Sequence, residues 1–168
     1  ILYDMLSPEM RAEDPLLSAC TAVADRIGRF GEARPLVAWI KPVWPQTVPL
    51  QQLGVAACLL SDIGWLEHPD YRSEQAYLRT LRMPFGGIDH VGRAFLALAL
   101  YLRYGGRVDD QTVYAAHVLL DQETWYTAIA LGLMLRLAYT CGGGSRARLE
   151  FTRLARERSR LVLEIAPE

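Results

Sequence analysis

The chain has 168 residues, 51% of them hydrophobic and 22% charged, with a formal net charge of −1. A chain of this length can bury roughly 70% of its unfolded surface without a disulfide or metal staple, and this composition excludes general disorder. Near-neutrality argues against a global pull on nucleic acid or anionic lipid, while leaving room for a local one.

Asp14-Pro15 predicts a helix start, a capping carboxylate followed by proline at the first helical position. Leu16, Leu17, Cys20, Val23, Ala24 and Ile27 follow at helical spacing, and Gly31 ends the run. A second helix is expected over 33–40, cut by Pro42 and Pro45, with a loop over 44–49. The third, 50–63, is apolar nearly all round and so belongs in a core. A loop over 64–71 leads to a fourth helix, 72–82, and residues 84–87 break the chain. Asp89 can cap a fifth helix, 90–104, closed by Gly105-Gly106. Asp110 can cap a sixth through Leu120, and a seventh runs over 122–139 to Gly142-Gly143-Gly144. No repeat of 20 to 50 residues recurs.

The end of the chain changes period. Leu161, Leu163 and Ile165 alternate with Val162 and Glu164; Leu149, Phe151 and Arg153 alternate more weakly with Glu150, Thr152 and Leu154. We expect a terminal β-hairpin, with a helix over 146–158 as the alternative. The fold class is thus mainly α, a bundle of about seven helices over 1–144 with an arginine-rich hairpin over 145–168 appended to it. A two-stranded hairpin is marginal alone and should pack on the helices or on another part of the protein.

Cys20, Cys58 and Cys141 are odd in number, widely spaced and set among apolar residues, as free buried thiols of a reducing, cytoplasmic compartment are. No CxxC pair offers a thiolate zinc site. The apolar run 94–101 stops at Arg103, short of a membrane span, and residues 1–6 are too short for a signal peptide. The chain begins with Ile1, not Met, so we expect a piece of a longer protein.

Seventeen of the 18 basic residues are arginines, the exception being Lys41. Six of them (Arg146, Arg148, Arg153, Arg156, Arg158, Arg160) stand between 145 and 160 against two glutamates, while residues 1–70 carry a net −4. The near-neutral total hides a gradient. Arginine holds phosphate bidentately and stays charged at any working pH, so this stretch is a candidate polyanion track. Arg72, Arg79 and Arg82 project from the fourth helix and extend it; the competing reading is a solvated turn whose arginines pair with nearby carboxylates. Arg136, inside an apolar helix, reads as a structural arginine paired with a buried carboxylate, Asp62 being a candidate. His68 lies in the loop beside Asp62 and Arg72 and is the histidine of most interest. His90 reads as a helix-cap contact and His117 as a half-buried helical residue. Phe95, Leu98, Tyr101 and Leu102, and later Trp125, Tyr126 and Ile129, recur at helical spacing as core, with some apolar surface left for a further domain or a second copy. No Ser-His-Asp set can be picked out.

Two resemblances organise these features. The stretch 56–65 (AACLLSDIGW), followed by 68–73 (HPDYRS), resembles the metal-binding helix of the HD-domain superfamily. There a His-Asp dyad at a helix end, with an upstream His and a downstream Asp, holds metal ions that activate water. The corresponding positions here are Glu32 upstream, Ser61 and Asp62 for the dyad, and Tyr139 downstream; Asp62 alone keeps the pattern, with His68 nearby. One carboxylate beside a hydroxyl is a poor divalent site, so no metal and no catalytic residue is expected in this chain. Asp62 is expected to be tied to backbone N–H groups or to an arginine.

More broadly, the chain resembles the C-terminal helical region of the Ppx/GppA family of exopolyphosphatases and guanosine pentaphosphate phosphohydrolases, alphaproteobacterial members in particular. Residues 1–6 (ILYDML), 33–40 (ARPLVAWI), 56–77, 87–104 (GIDHVGRAFLALALYLRY) and 130–144 (ALGLMLRLAYTCGGG) carry the likeness. The resemblance implies a catalytic actin-like domain upstream, supplying the phosphate loops and carboxylates and a Mg²⁺ cofactor. No GxxxxGK[ST] loop occurs here, and the glycines at 142–144 follow a helix instead of opening one. The implied role is a noncatalytic C-terminal domain, with polyphosphate, the upstream domain and a second copy as partners, and no membrane or nucleic acid. The alternatives are an HD-type metal-dependent phosphohydrolase using Glu32, Asp62 and His68, and a purely structural interaction domain.

Overall fold

A computed structural model of the chain describes residues 13–27, 33–84, 86–143, 146–158 and 160–166, with Arg146 and Ala147 as backbone only. Expectations resting on residues 1–6 and on Gly31, Glu32 and Gly144 lie outside the described residues.

Helix α1 (Pro15–Ile27) starts where Asp14 caps it. Asp14 Oδ1 accepts the backbone N–H groups of Leu16 and Leu17 at 2.9 and 3.1 Å, and Pro15 occupies a position whose N–H would have no helical partner. Leu16 and Cys20, one turn apart, are buried. Helix α2 (Arg34–Ile40) buries Leu36, Trp39 and Ile40. Helix α3 (Val48–Leu59) begins inside the expected 44–49 loop, because Pro49 falls in its first turn, where a missing donor is tolerated. It also ends four residues before the expected Ile63. A 3₁₀ turn, Leu60–Asp62, follows, and Tyr104 grips the backbone just beyond it. The Tyr104 hydroxyl accepts from the Gly64 N–H at 3.0 Å and donates to the Ser61 carbonyl at 2.9 Å.

A second 3₁₀ turn, Pro69–Tyr71, leads into α4 (Arg72–Arg82). Helix α5 (His90–Arg103) is capped by Asp89, whose Oδ1 accepts the Gly92 N–H at 2.7 Å. Every residue from Ala94 to Arg103 is buried, which makes α5 the central rod of the bundle. It packs against α3, α4, α6 (Tyr114–Leu119) and α7 (Gln122–Gly142). The expected sixth helix is divided. Asp110 caps a 3₁₀ turn, Gln111–Val113, and α6 proper starts at Tyr114. Asp121 caps α7 by accepting the Thr124 N–H at 2.8 Å. That helix runs past the expected Tyr139 to Gly142 and stops at Gly143, whose φ of 54° is left-handed. Its closest approach to α5 needs Gly132, where a Cβ would stand 2.5 Å from the Ala99 carbonyl oxygen and 2.8 Å from Leu102 Cβ.

The tail is a hairpin, as the alternation indicated, but it starts later. A one-turn helix, α8 (Arg146–Leu149), precedes β1 (Thr152–Glu157), which pairs antiparallel with β2 (Arg160–Ile165). Leu149 and Phe151 therefore lie outside the ladder: Leu149 is buried beside Gly142, and this burial turns the chain helically. The alternative helix over 146–158 does not extend past Leu149. Thr152, Leu154 and Arg156 share one face with Ile165, Leu163 and Leu161. Leu154 is buried, worth roughly 2 kcal/mol of apolar transfer. Trp39 Nε1 donates to Thr152 Oγ1 at 3.0 Å, tying the hairpin to α2. Among the described residues no helix is long and apolar enough to cross a membrane.

Candidate functional site

Four polar or charged residues are buried among those described: Ser61, Asp62, Thr80 and Arg103. Thr80 returns its hydroxyl to the Ala76 carbonyl within its own helix. The other three meet at one end of the bundle, where the 3₁₀ turn after α3, the C-terminus of α5 and the last third of α7 converge.

Asp62 is at the centre. Tyr139, on α7, donates its hydroxyl to Asp62 Oδ1 at 2.7 Å, and Arg103 Nη2 stands 3.6 Å from the same oxygen. The Arg103 guanidinium lies between two aromatic rings, 3.5 Å from the Tyr139 centroid and 4.0 Å from that of Tyr104. Both contacts fall within cation–π range, and burial strengthens them. Burial pushes the Tyr104 phenol up to about 12, against the opposing pull of Arg103. The Tyr139 phenol is raised further, by burial first and by the Asp62 charge second. Both therefore remain protonated donors at neutral pH.

Of the residues singled out from the sequence, Asp62 and Tyr139 are brought into direct contact. Ser61 is buried beside them, but its hydroxyl donates to the Ala57 carbonyl at 2.8 Å. Glu32 lies outside the described residues. His68 is exposed; its Nδ1 accepts from the Asp70 N–H at 3.4 Å and lies 3.6 Å from Asp70 Oδ2. No group of three or more His, Cys, Asp or Glu able to hold a metal ion occurs among the described residues.

Two expectations are corrected. Arg136 is exposed rather than buried, and the buried arginine beside Asp62 is Arg103, which closes the central helix. His117 is exposed rather than half-buried, its ring standing edge-on to Trp125 at 4.8 Å. His90 is exposed at the first position of α5, beside the Asp89 cap that the sequence indicated. Sequence reasoning missed Arg103 and Tyr104, although a charge that closes a run of nine apolar residues is a readable sign of a buried ion pair.

The arginines divide into two sets. Arg72 and Arg79 hold the 63–67 turn: Arg72 Nε donates to the Glu67 carbonyl at 2.8 Å and stacks over Trp65, and Arg79 donates to the Ile63 carbonyl at 3.1 Å and pairs with the Glu67 carboxylate. Arg148, Arg153, Arg156, Arg158 and Arg160 are exposed. In the hairpin register Arg153 faces Glu164 and Arg160 faces Glu157, whereas Arg156 faces Leu161. Arg156 and Arg160 border a cleft of about 550 Å³ lined also by Trp44, Tyr126 and Leu161, and Arg153 borders a second, of about 540 Å³, beside Trp39.

The family model for the C-terminal domain of exopolyphosphatase matches residues 46–164. The match includes Asp62, Arg103, Tyr104 and Tyr139 as well as β1 and all of β2 but Ile165. No curated protein gives a significant match to the chain.

Proposed function

The chain belongs to the exopolyphosphatase C-terminal family, and from that premise we propose that it acts as a noncatalytic, polyanion-binding domain of an exopolyphosphatase-like phosphohydrolase. The parent would release terminal phosphate from inorganic polyphosphate or guanosine pentaphosphate, using Mg²⁺ held by an actin-like domain of the same protein. This domain would hold the polyanion outside that active site and support dimerisation. The observation that carries the reading is the exposed arginine series of the tail, Arg148 to Arg160, joined to a bundle in which the one buried carboxylate among the described residues is engaged by a phenol and a guanidinium. A phosphate chain neutralises such cations in succession and releases counterions, so binding would weaken steeply with salt.

The test is polyphosphate binding by the 168-residue chain across a salt series, with Arg153→Glu plus Arg156→Glu as the variant. The reading expects weaker affinity and a shallower salt slope in the variant, and no phosphate release by the chain with Mg²⁺ or Mn²⁺. Robust metal-dependent turnover would overturn it in favour of an HD-type hydrolase. The Arg153–Glu164 and Glu157–Arg160 register pairs favour a second reading, a structural interaction domain whose tail charges neutralise one another. Absence of polyphosphate binding even at low salt would select that one. Exposed Tyr114, Val118, Tyr126 and Leu133 on α6 and α7 offer apolar surface for a second copy, which sedimentation at rising concentration would detect.

A further inference from the structure

The HD-like resemblance places a metal ion at the helix end that carries Asp62, and the residues present do not fit one. Asp62 is a single carboxylate, the Ser61 hydroxyl is turned back to Ala57, and the Tyr139 phenol is a neutral donor. A divalent ion approaching Asp62 would also meet the guanidinium of Arg103 3.6 Å from the carboxylate oxygen. Two cations held against one carboxylate, out of water, repel strongly.

We infer that Arg103 is itself the resident cation of this site: the guanidinium takes the place of a metal ion, with the Asp62 carboxylate as counter-charge and the Tyr104 and Tyr139 rings as its walls. A buried carboxylate needs a positive partner, and the fold meets that need from α5. The planar guanidinium suits the slot between two ring faces, which an ammonium would fill poorly. Its buried Nε has no hydrogen-bond partner, so the rings and the carboxylate, not a full set of acceptors, hold the group. The inference concerns the buried cluster alone, and polyphosphate binding by the hairpin is independent of it.

Thermal unfolding of the 168-residue chain tests it in three ways. Arg103→Ala should unfold roughly 10 °C lower. Methylguanidinium at millimolar concentration should recover part of that loss, while leaving the wild type unchanged and with no matching effect from methylammonium. Recovery by both cations alike, or by neither, overturns the inference. Arg103→Lys keeps the charge and loses the plane, and should fold with a lowered midpoint; a midpoint equal to that of the wild type overturns the stacked role. The third arm needs no variant: Mn²⁺ should leave the wild-type midpoint unmoved. A Mn²⁺-induced rise that Asp62→Asn abolishes would show that a metal, not Arg103, is the cation of the site.

Discussion

Tyr139 and Asp62, 77 positions apart in the chain, are joined by a 2.7 Å hydrogen bond from phenol to carboxylate. The bond ties α7 to the turn after α3, and Arg103 completes it from the end of α5. Three elements that share no local sequence signal are thus locked through one carboxylate oxygen. The stability of the bundle should depend on this node more than on any exposed ion pair.

Asp62→Ala leaves the Arg103 guanidinium buried without its carboxylate, which costs about 3–5 kcal/mol. Removing both partners should cost less than the two single losses together, with a coupling of about 1 kcal/mol or more. Urea unfolding of the two single variants and the double variant measures this; strictly additive losses would exclude a direct interaction.

Gly132→Ala places a methyl group against the Ala99 carbonyl at 2.5 Å, in a backbone that has no flexible neighbour to move aside. The two central helices must separate, and a loss of about 1–3 kcal/mol is expected even though alanine is the better helix former. A gain in midpoint, the ordinary result of Gly→Ala in a helix, would show that α5 and α7 are less closely packed.

Alkaline stability follows from the tyrosines. The Tyr104 phenol is raised from 10.0 to about 12, so the fold favours its protonated form. Its contribution is complete below about pH 10 and is lost as pH rises from about 10 towards 12. Urea midpoints measured through that window should fall, and Tyr104→Phe should show a shallower decline. Parallel pH profiles for the two proteins would count against the burial of the phenol.

Arg158 holds a φ of 51° at the hairpin turn, a conformation that costs a non-glycine residue about 1 kcal/mol. Arg158→Gly should therefore raise the stability of the hairpin, read as slower amide exchange in β1 and β2. Faster exchange would mean that the arginine side chain contributes more than its backbone costs.

Local signals carried most of the element list. Asp14, Asp89 and Asp110 cap where their position before apolar runs indicated, and Gly143 ends α7 in the left-handed conformation that glycine readily adopts. The errors lie where long-range contacts override local pattern. Leu149 continues the strand alternation, yet its burial beside Gly142 draws it into a helical turn. The 44–49 loop reads as proline-broken, yet Pro49 enters α3 because its first turn needs no donor there.

The sequence by itself determined a mainly helical bundle with a terminal hairpin, the family, and Asp62 and Tyr139 as positions to examine together. Periodicity, caps and motif order are written in neighbouring residues, and a single chain displays them. Only the tertiary structure decided which arginine answers Asp62. Arg136 stands inside an apolar helix and Arg103 at the end of one, and the choice between them depends on how α5 and α7 rotate about their axes when they pack. In the packed bundle α5 and α7 meet closely at Gly132, Arg103 is buried against two tyrosine rings, and Arg136 is exposed.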